Sequence, residues 1–158
     1  MGTIDAGRPE RKYPVHPPPI WRPNEPVVLL VTVCVTPRQP LWANAGAHQA
    51  LRSAWTQADH WLVGEYVILP DHLHLFCVPA GFDSAPVKTW VRYWKRLAGK
   101  ELPSLKSHWQ EDCWDTQMRS RPYYEEKLAY VQQNAVRYGL VTRPEDWPYA
   151  GRLHLIEW

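Results

Sequence analysis

Residues 61–79 read Trp61-Leu-Val-Gly-Glu-Tyr-Val-Ile-Leu-Pro-Asp-His-Leu-His-Leu-Phe-Cys-Val-Pro79. Two runs rich in β-branched and aromatic residues flank Pro70-Asp71, a dipeptide that initiates tight turns. Trp61 to Leu69 and His72 to Pro79 therefore read as the two strands of a β-hairpin. On its N-terminal side, Val27-Val-Leu-Leu-Val-Thr-Val-Cys-Val-Thr36 is a continuous β-branched run, the pattern of a central strand buried on both faces, and Pro37 ends it. Between these strands, Ala47, Leu51, Ala54, Trp55 and Ala58 recur at helical spacing from about Asn44 to His60.

On the C-terminal side, Asp83 or Ser84 is placed to cap a helix with Pro86 in its first turn. Val87, Trp90, Val91, Trp94, Leu97 and Ala98 form that helix's apolar stripe. Asp112 to Met118 reads as a short strand, and Pro122 to Tyr138 as one last helix ended by Gly139. The order β-α-β-β-α-β is that of the ferredoxin-like split βαβ. The expected fold is thus α+β, an antiparallel sheet with an appended C-terminal helix. Residues 8–26 hold seven prolines with Arg8, Arg11, Lys12 and Arg22 interleaved. Proline lacks the amide donor that helices and ladders use, so residues 1–26 read as an extended arm, residues 27–150 as the domain and residues 151–158 as a tail.

At 158 residues the chain supports one compact domain. The longest apolar run, Val27 to Val35, is less than half of the roughly 20 residues a membrane-spanning helix needs, so a membrane protein is not expected. The N-terminus lacks the basic and apolar blocks of a secretory signal, and three cysteines without CxxC spacing read as reduced, packed thiols; the expected location is cytoplasmic. A net charge of +2 requires any nucleic-acid surface to come from local clusters. Ten tryptophans either fill the core or offer base-stacking platforms. Trp90 and Trp94 fall on a core stripe, whereas Trp21, Trp42 and Trp109 lie in the arm or in loops and are the stacking candidates.

His72 and His74 carry the chemistry. Positions two apart on a strand point to the same face, so their imidazoles can share one divalent metal, but two ligands leave a metal site incomplete. On the last helix Tyr130 and Asn134, four apart, face the same way. At about 100° per residue, Tyr124, Leu128, Val131, Ala135 and Tyr138 make an apolar stripe, and Tyr123, Lys127, Tyr130, Asn134 and Arg137 a polar one.

The stretch Tyr66-Val-Ile-Leu-Pro-Asp-His-Leu-His-Leu75 resembles the strand carrying His-hydrophobe-His in the HUH single-tyrosine transposases, in particular the REP-associated tyrosine transposases (RayT). Tyr130-Val-Gln-Gln-Asn-Ala-Val-Arg-Tyr-Gly-Leu-Val141 is similar to their tyrosine-bearing helix, and Trp147-Pro-Tyr149 also fits. The similarity covers roughly residues 27–150. Two departures are Ala135, where proline is common, and Gln132, where histidine is frequent. The resemblance implies a domain that binds single-stranded DNA, often beside a hairpin, and cuts one phosphodiester with a tyrosine nucleophile. It implies His72 and His74 as metal ligands, Tyr130 as nucleophile, and Asn134 as third ligand with Gln133 as the fallback.

A tyrosine phenol is mostly protonated at neutral pH and is a poor nucleophile without help. Magnesium or manganese suits a set of imidazoles and an amide oxygen with open positions, and would neutralise charge developing on the phosphate. Attack by Tyr130 would leave a 5′-phosphotyrosine and a free 3′-hydroxyl, which can reverse the step. Lys88, Arg92, Lys95 and Arg96, with Lys100 beyond them, and Lys127 and Arg137 on the last helix are the expected phosphate contacts. The short connection from Met118 to Pro122 favours a monomeric site over a homodimer with exchanged helices. Two rival readings are a non-catalytic hairpin DNA or RNA binder and a metal-dependent hydrolase that activates water. Asp71 is the sole acidic residue at a motif-like spacing to serve the hydrolase, and it reads as part of the turn.

Overall fold

The computed structural model describes residues 14–37, 39–106 and 108–158. Arg8, Arg11 and Lys12 of the arm lie outside the described residues. The elements are β1 (Leu29–Cys34), α1 (Ala45–Gln57), β2 (Trp61–Ile68), β3 (His72–Pro79), α2 (Val87–Glu101), β4 (Trp114–Gln117), α3 (Arg121–Gln132), α4 (Asn134–Arg137) and β5 (Ala150–Arg152). The sheet runs β4-β1-β3-β2-β5, with every neighbouring pair antiparallel. Its first four strands have the ferredoxin-like order expected from the sequence.

The continuous apolar run of β1 is explained by a core on each side of the sheet. Val31 and Val33, with Leu73, Leu75 and Cys77 of β3, pack under α1 and α2 together with Trp55, Trp90 and Trp94. Alternation sends the other set to the opposite face, where Val28, Val67 and Phe76 pack against Tyr124 and Val131 of α3 and Ala135 of α4. His72 and His74 share the alternation of Phe76 and so belong to this second face.

Asn44 caps α1 by accepting from the Ala47 amide at 2.9 Å. The expected cap of α2 is corrected. Ser84 Oγ is occupied with the Gly81 amide and carbonyl, and Pro86 takes the N-cap position without a side-chain bond. Two stacking candidates are also corrected. Trp42 is fully buried, with its ring 4.7 Å from that of Trp109, and Trp109 lies edge-on to Trp94 at 5.6 Å, so both close the core under α2. Trp21 remains exposed, beside Phe82 at 4.6 Å.

The single last helix expected over 122–138 is two helices broken at Gln133. Arg137 donates to the Tyr130 carbonyl at 2.6 Å, the acceptor that an unbroken helix would offer to the Asn134 amide. Gly139, at φ 72°, ends α4, with its own amide on Val136 and that of Leu140 on Ala135, the paired bonds of a Schellman cap.

The tail is more structured than expected: β5 pairs with β2, and the chain then crosses Gly64, where a Cβ would collide with the Ile156 side chain. Trp158 stacks on Tyr124 with rings 5.9 Å apart. At the opposite edge, Ile20 and Gln117 exchange two hydrogen bonds of 2.8 Å, and Arg22 donates to the Arg119 carbonyl, so arm residues cover the free edge of β4.

Candidate active site

His72 and His74 project side by side from β3 with ring centroids 5.1 Å apart and planes at 85°. Each is anchored through Nδ1. His72 Nδ1 donates to Asp71 Oδ1 at 2.7 Å, and His74 Nδ1 lies 2.8 Å from Thr32 Oγ1, which β1 supplies because Thr32 stands directly opposite His74 in the ladder. Asp71 requires the proton on His72 Nδ1, and where the Thr32 hydroxyl accepts from His74 Nδ1 both Nε2 lone pairs are open to one ion. Burial, reinforced by the neighbouring His72 and the Arg137 guanidinium, lowers the His74 pKa to about 3, so this imidazole is neutral at physiological pH, as a ligand must be. The donor set fits a divalent metal at the two Nε2 atoms.

Sequence reasoning did not find the partners of this pair. Asp71 reads as a turn former, yet its carboxylate orients His72. Thr32 becomes visible only once the register between β1 and β3 is known.

The helical half of the site differs from a simple wheel. Asn134 is buried, and its Oδ1 accepts from Arg137 at 2.6 Å; its Nδ2 is buried without a hydrogen-bond partner among the described residues. A flipped amide would set two donors against each other, so Arg137 decides the orientation. The same guanidinium stacks on the Tyr130 ring at 3.7 Å. Tyr130 itself is 54% exposed, with Lys127 over its ring at 5.8 Å. Tyr138, at the C-cap of α4, leaves the apolar stripe: its ring lies 5.4 Å from that of His72, and it is 61% exposed.

The basic residues divide by face. Helix α2 lies across the sheet from the histidine pair, and Lys95 is corrected outright. It is buried, donating to the Gln110 carbonyl at 2.9 Å and lying over the Trp109 ring. Lys88 pairs with Asp112 at 3.3 Å. Arg92 is exposed, and Arg96 lies over Tyr93. By contrast, Arg119 and Lys127 lie over the Tyr123 ring on α3, which with Tyr130 and Arg137 makes a cation–aromatic strip on the same face as the histidines. No helix among the described residues is long and apolar enough to cross a membrane.

No protein-family model matches the sequence. Over 116 residues, 63% of the chain, it is 28% identical to a Haemophilus influenzae protein named "Putative REP-associated tyrosine transposase", and the chain spans 65% of that relative's length. A solved REP-associated tyrosine transposase bound to a REP hairpin shares the fold, with a TM-score of 0.69 over 90% of this chain and 81% of that one at 22% identity. The motif order, the sequence relative and the shared fold point the same way. The chain is similar in sequence to one REP-associated tyrosine transposase and shares its fold with another.

Proposed function

We propose that this protein is a metal-dependent single-stranded DNA nickase and strand transferase, acting next to hairpin DNA through a 5′-phosphotyrosine at Tyr130. The observation that carries the reading is the imidazole pair, both rings tied back through Nδ1 with Nε2 presented and His74 held neutral. A divalent ion there, magnesium or manganese in use, would polarise the scissile phosphate.

The chain's own residues do the rest. Tyr130, exposed on the same face, forms the Oη–phosphorus bond as the phosphorus–O3′ bond breaks; the phenolic proton passes to solvent and the departing 3′-oxygen takes one up. Arg137, stacked on the Tyr130 ring, sets positive charge beside the reacting phosphate. Asn134 completes the ligand set only if Arg137 releases its Oδ1, and DNA phosphate is the natural competitor for that guanidinium. The strip formed by Arg119, Tyr123, Lys127 and Tyr130 guides the single strand by phosphate contact and base stacking. The hairpin carried by the solved relative supports a hairpin as the double-stranded element.

A non-catalytic hairpin binder is the second reading, favoured by the Arg137 contacts that hold both Asn134 Oδ1 and the Tyr130 ring. Labelled hairpin DNA with single-stranded flanks, incubated with the protein and magnesium, decides between them. A denaturation-resistant protein–DNA band is expected for the wild type and Tyr138→Phe, and none for Tyr130→Phe or His74→Ala. Tight binding with no such band in the wild type would establish the second reading.

A further inference from the structure

On the other face of the sheet a second cluster joins the arm to β4. His16 Nε2 lies 2.8 Å from Asp112 Oδ1, and His16 Nδ1 makes a short contact with Asp115 Oδ1. A ring nitrogen of His16, a carboxylate oxygen of Asp112 and Cys113 Sγ all lie within 4.8 Å of one another. Cys113 is 1% exposed and its thiol is in no disulfide. Asp115 and Cys113 belong to the side of α1 and α2, since Asp115 stands opposite Val31, so this cluster is separate from the histidine pair.

We propose that His16, Asp112 and Cys113 bind a zinc-class transition metal ion that staples the proline-rich arm to the domain. Imidazole, carboxylate and thiolate together are the donor set of zinc, and the thiolate disfavours magnesium or calcium. Asp115 is the outer carboxylate that fixes the ring with Nδ1 protonated and Nε2 turned inward, the arrangement that orients metal-bound histidines. Asp112 serves three partners, with Oδ2 on Lys88 at 3.3 Å and Oδ1 towards His16 and accepting from the Cys113 amide at 2.8 Å.

In the metal-free cluster both ring nitrogens of His16 face carboxylate oxygens. Binding of the dication releases the Cys113 thiol proton, with any proton on Nε2, to solvent beside Lys88 and Lys95. Burial pushes the Cys113 thiol up to about 12, so only a metal makes it a thiolate at neutral pH.

Cobalt(II) titrated into the full, reduced chain tests this, because a thiolate ligand gives a sulfur-to-cobalt charge-transfer band that the imidazole pair alone does not. One equivalent with the band is expected, displaced by zinc. Cys113→Ser should abolish the band, and His16→Ala, a change on the arm that leaves the sheet intact, should weaken cobalt binding at least tenfold. Absence of the band, a band surviving Cys113→Ser, or unchanged affinity in His16→Ala would overturn the proposal. Loss on Cys34→Ser instead would move the metal to the face of His72, which Cys34 opposes in the ladder.

Discussion

Thr32 bears on the function out of proportion to its size. Its hydroxyl, 2.8 Å from His74 Nδ1, ties down that nitrogen and leaves Nε2 outward. Thr32→Val keeps the shape and removes the partner; metal affinity at the pair, followed by calorimetric titration, should fall about 10–100-fold with little change in thermal stability. His74 also makes stability depend on pH. Its folded pKa is lowered from 6.5 to about 3, chiefly by burial, so between those values the unfolded chain holds the extra proton. The neutral-ring contribution is fully present above pH 6.5 and is lost as pH falls towards 3, with a slope of up to about 1.4 kcal/mol per pH unit. Urea unfolding should show the wild type losing stability relative to His74→Asn across that window, and parallel curves would contradict it. The histidine pair was legible in the sequence because a period of two needs no tertiary knowledge. Asp71 and Thr32 were not, because their roles depend on a turn and a cross-strand register.

For the elements, the break at Gln133 matters most. Wheel arithmetic placed Tyr124, Val131 and Ala135 on the buried side, as found. At the break Arg137 takes the Tyr130 carbonyl and Asn134 Oδ1; Asn134 is buried, and Tyr138, at the C-cap, stands against His72. A side chain taking over a backbone acceptor leaves no trace in hydrophobic periodicity. The basic stripe of α2 misled for a related reason: Lys95 lies on the polar side of the wheel, yet a loop covers it and its ammonium finds the Gln110 carbonyl. The strip on α3 is therefore expected to carry the DNA. Lys127→Ala should weaken hairpin binding across sequences and reduce the salt slope by about one unit, whereas Arg92→Ala on the far face should change neither. Fluorescence anisotropy at several salt concentrations makes the comparison.

As a whole molecule, the protein is one sheet with a core on each face, and the strand order followed from the alternation of elements. The tail escaped sequence reading because Ala150-Gly-Arg152 is too short and too small to look like a strand, and Trp158 gains its meaning only against Tyr124. Trp158→Ala removes a half-buried ring from the second core and should cost roughly 1–2 kcal/mol in chemical denaturation, loosening the face that carries α3. The described arm residues are bound at His16, Ile20 and Arg22 and make a turn at Pro23-Asn24, where Asn24 has φ 59°. The central claim joins all scales, since two anchored imidazoles and one helical phenol must act on a single phosphodiester. Its most direct test is peptide mass spectrometry of the trapped complex after protease and nuclease digestion. The account predicts a nucleotide joined through its 5′-phosphate to Tyr130 alone, and an adduct on Tyr138 or on any other residue would contradict it.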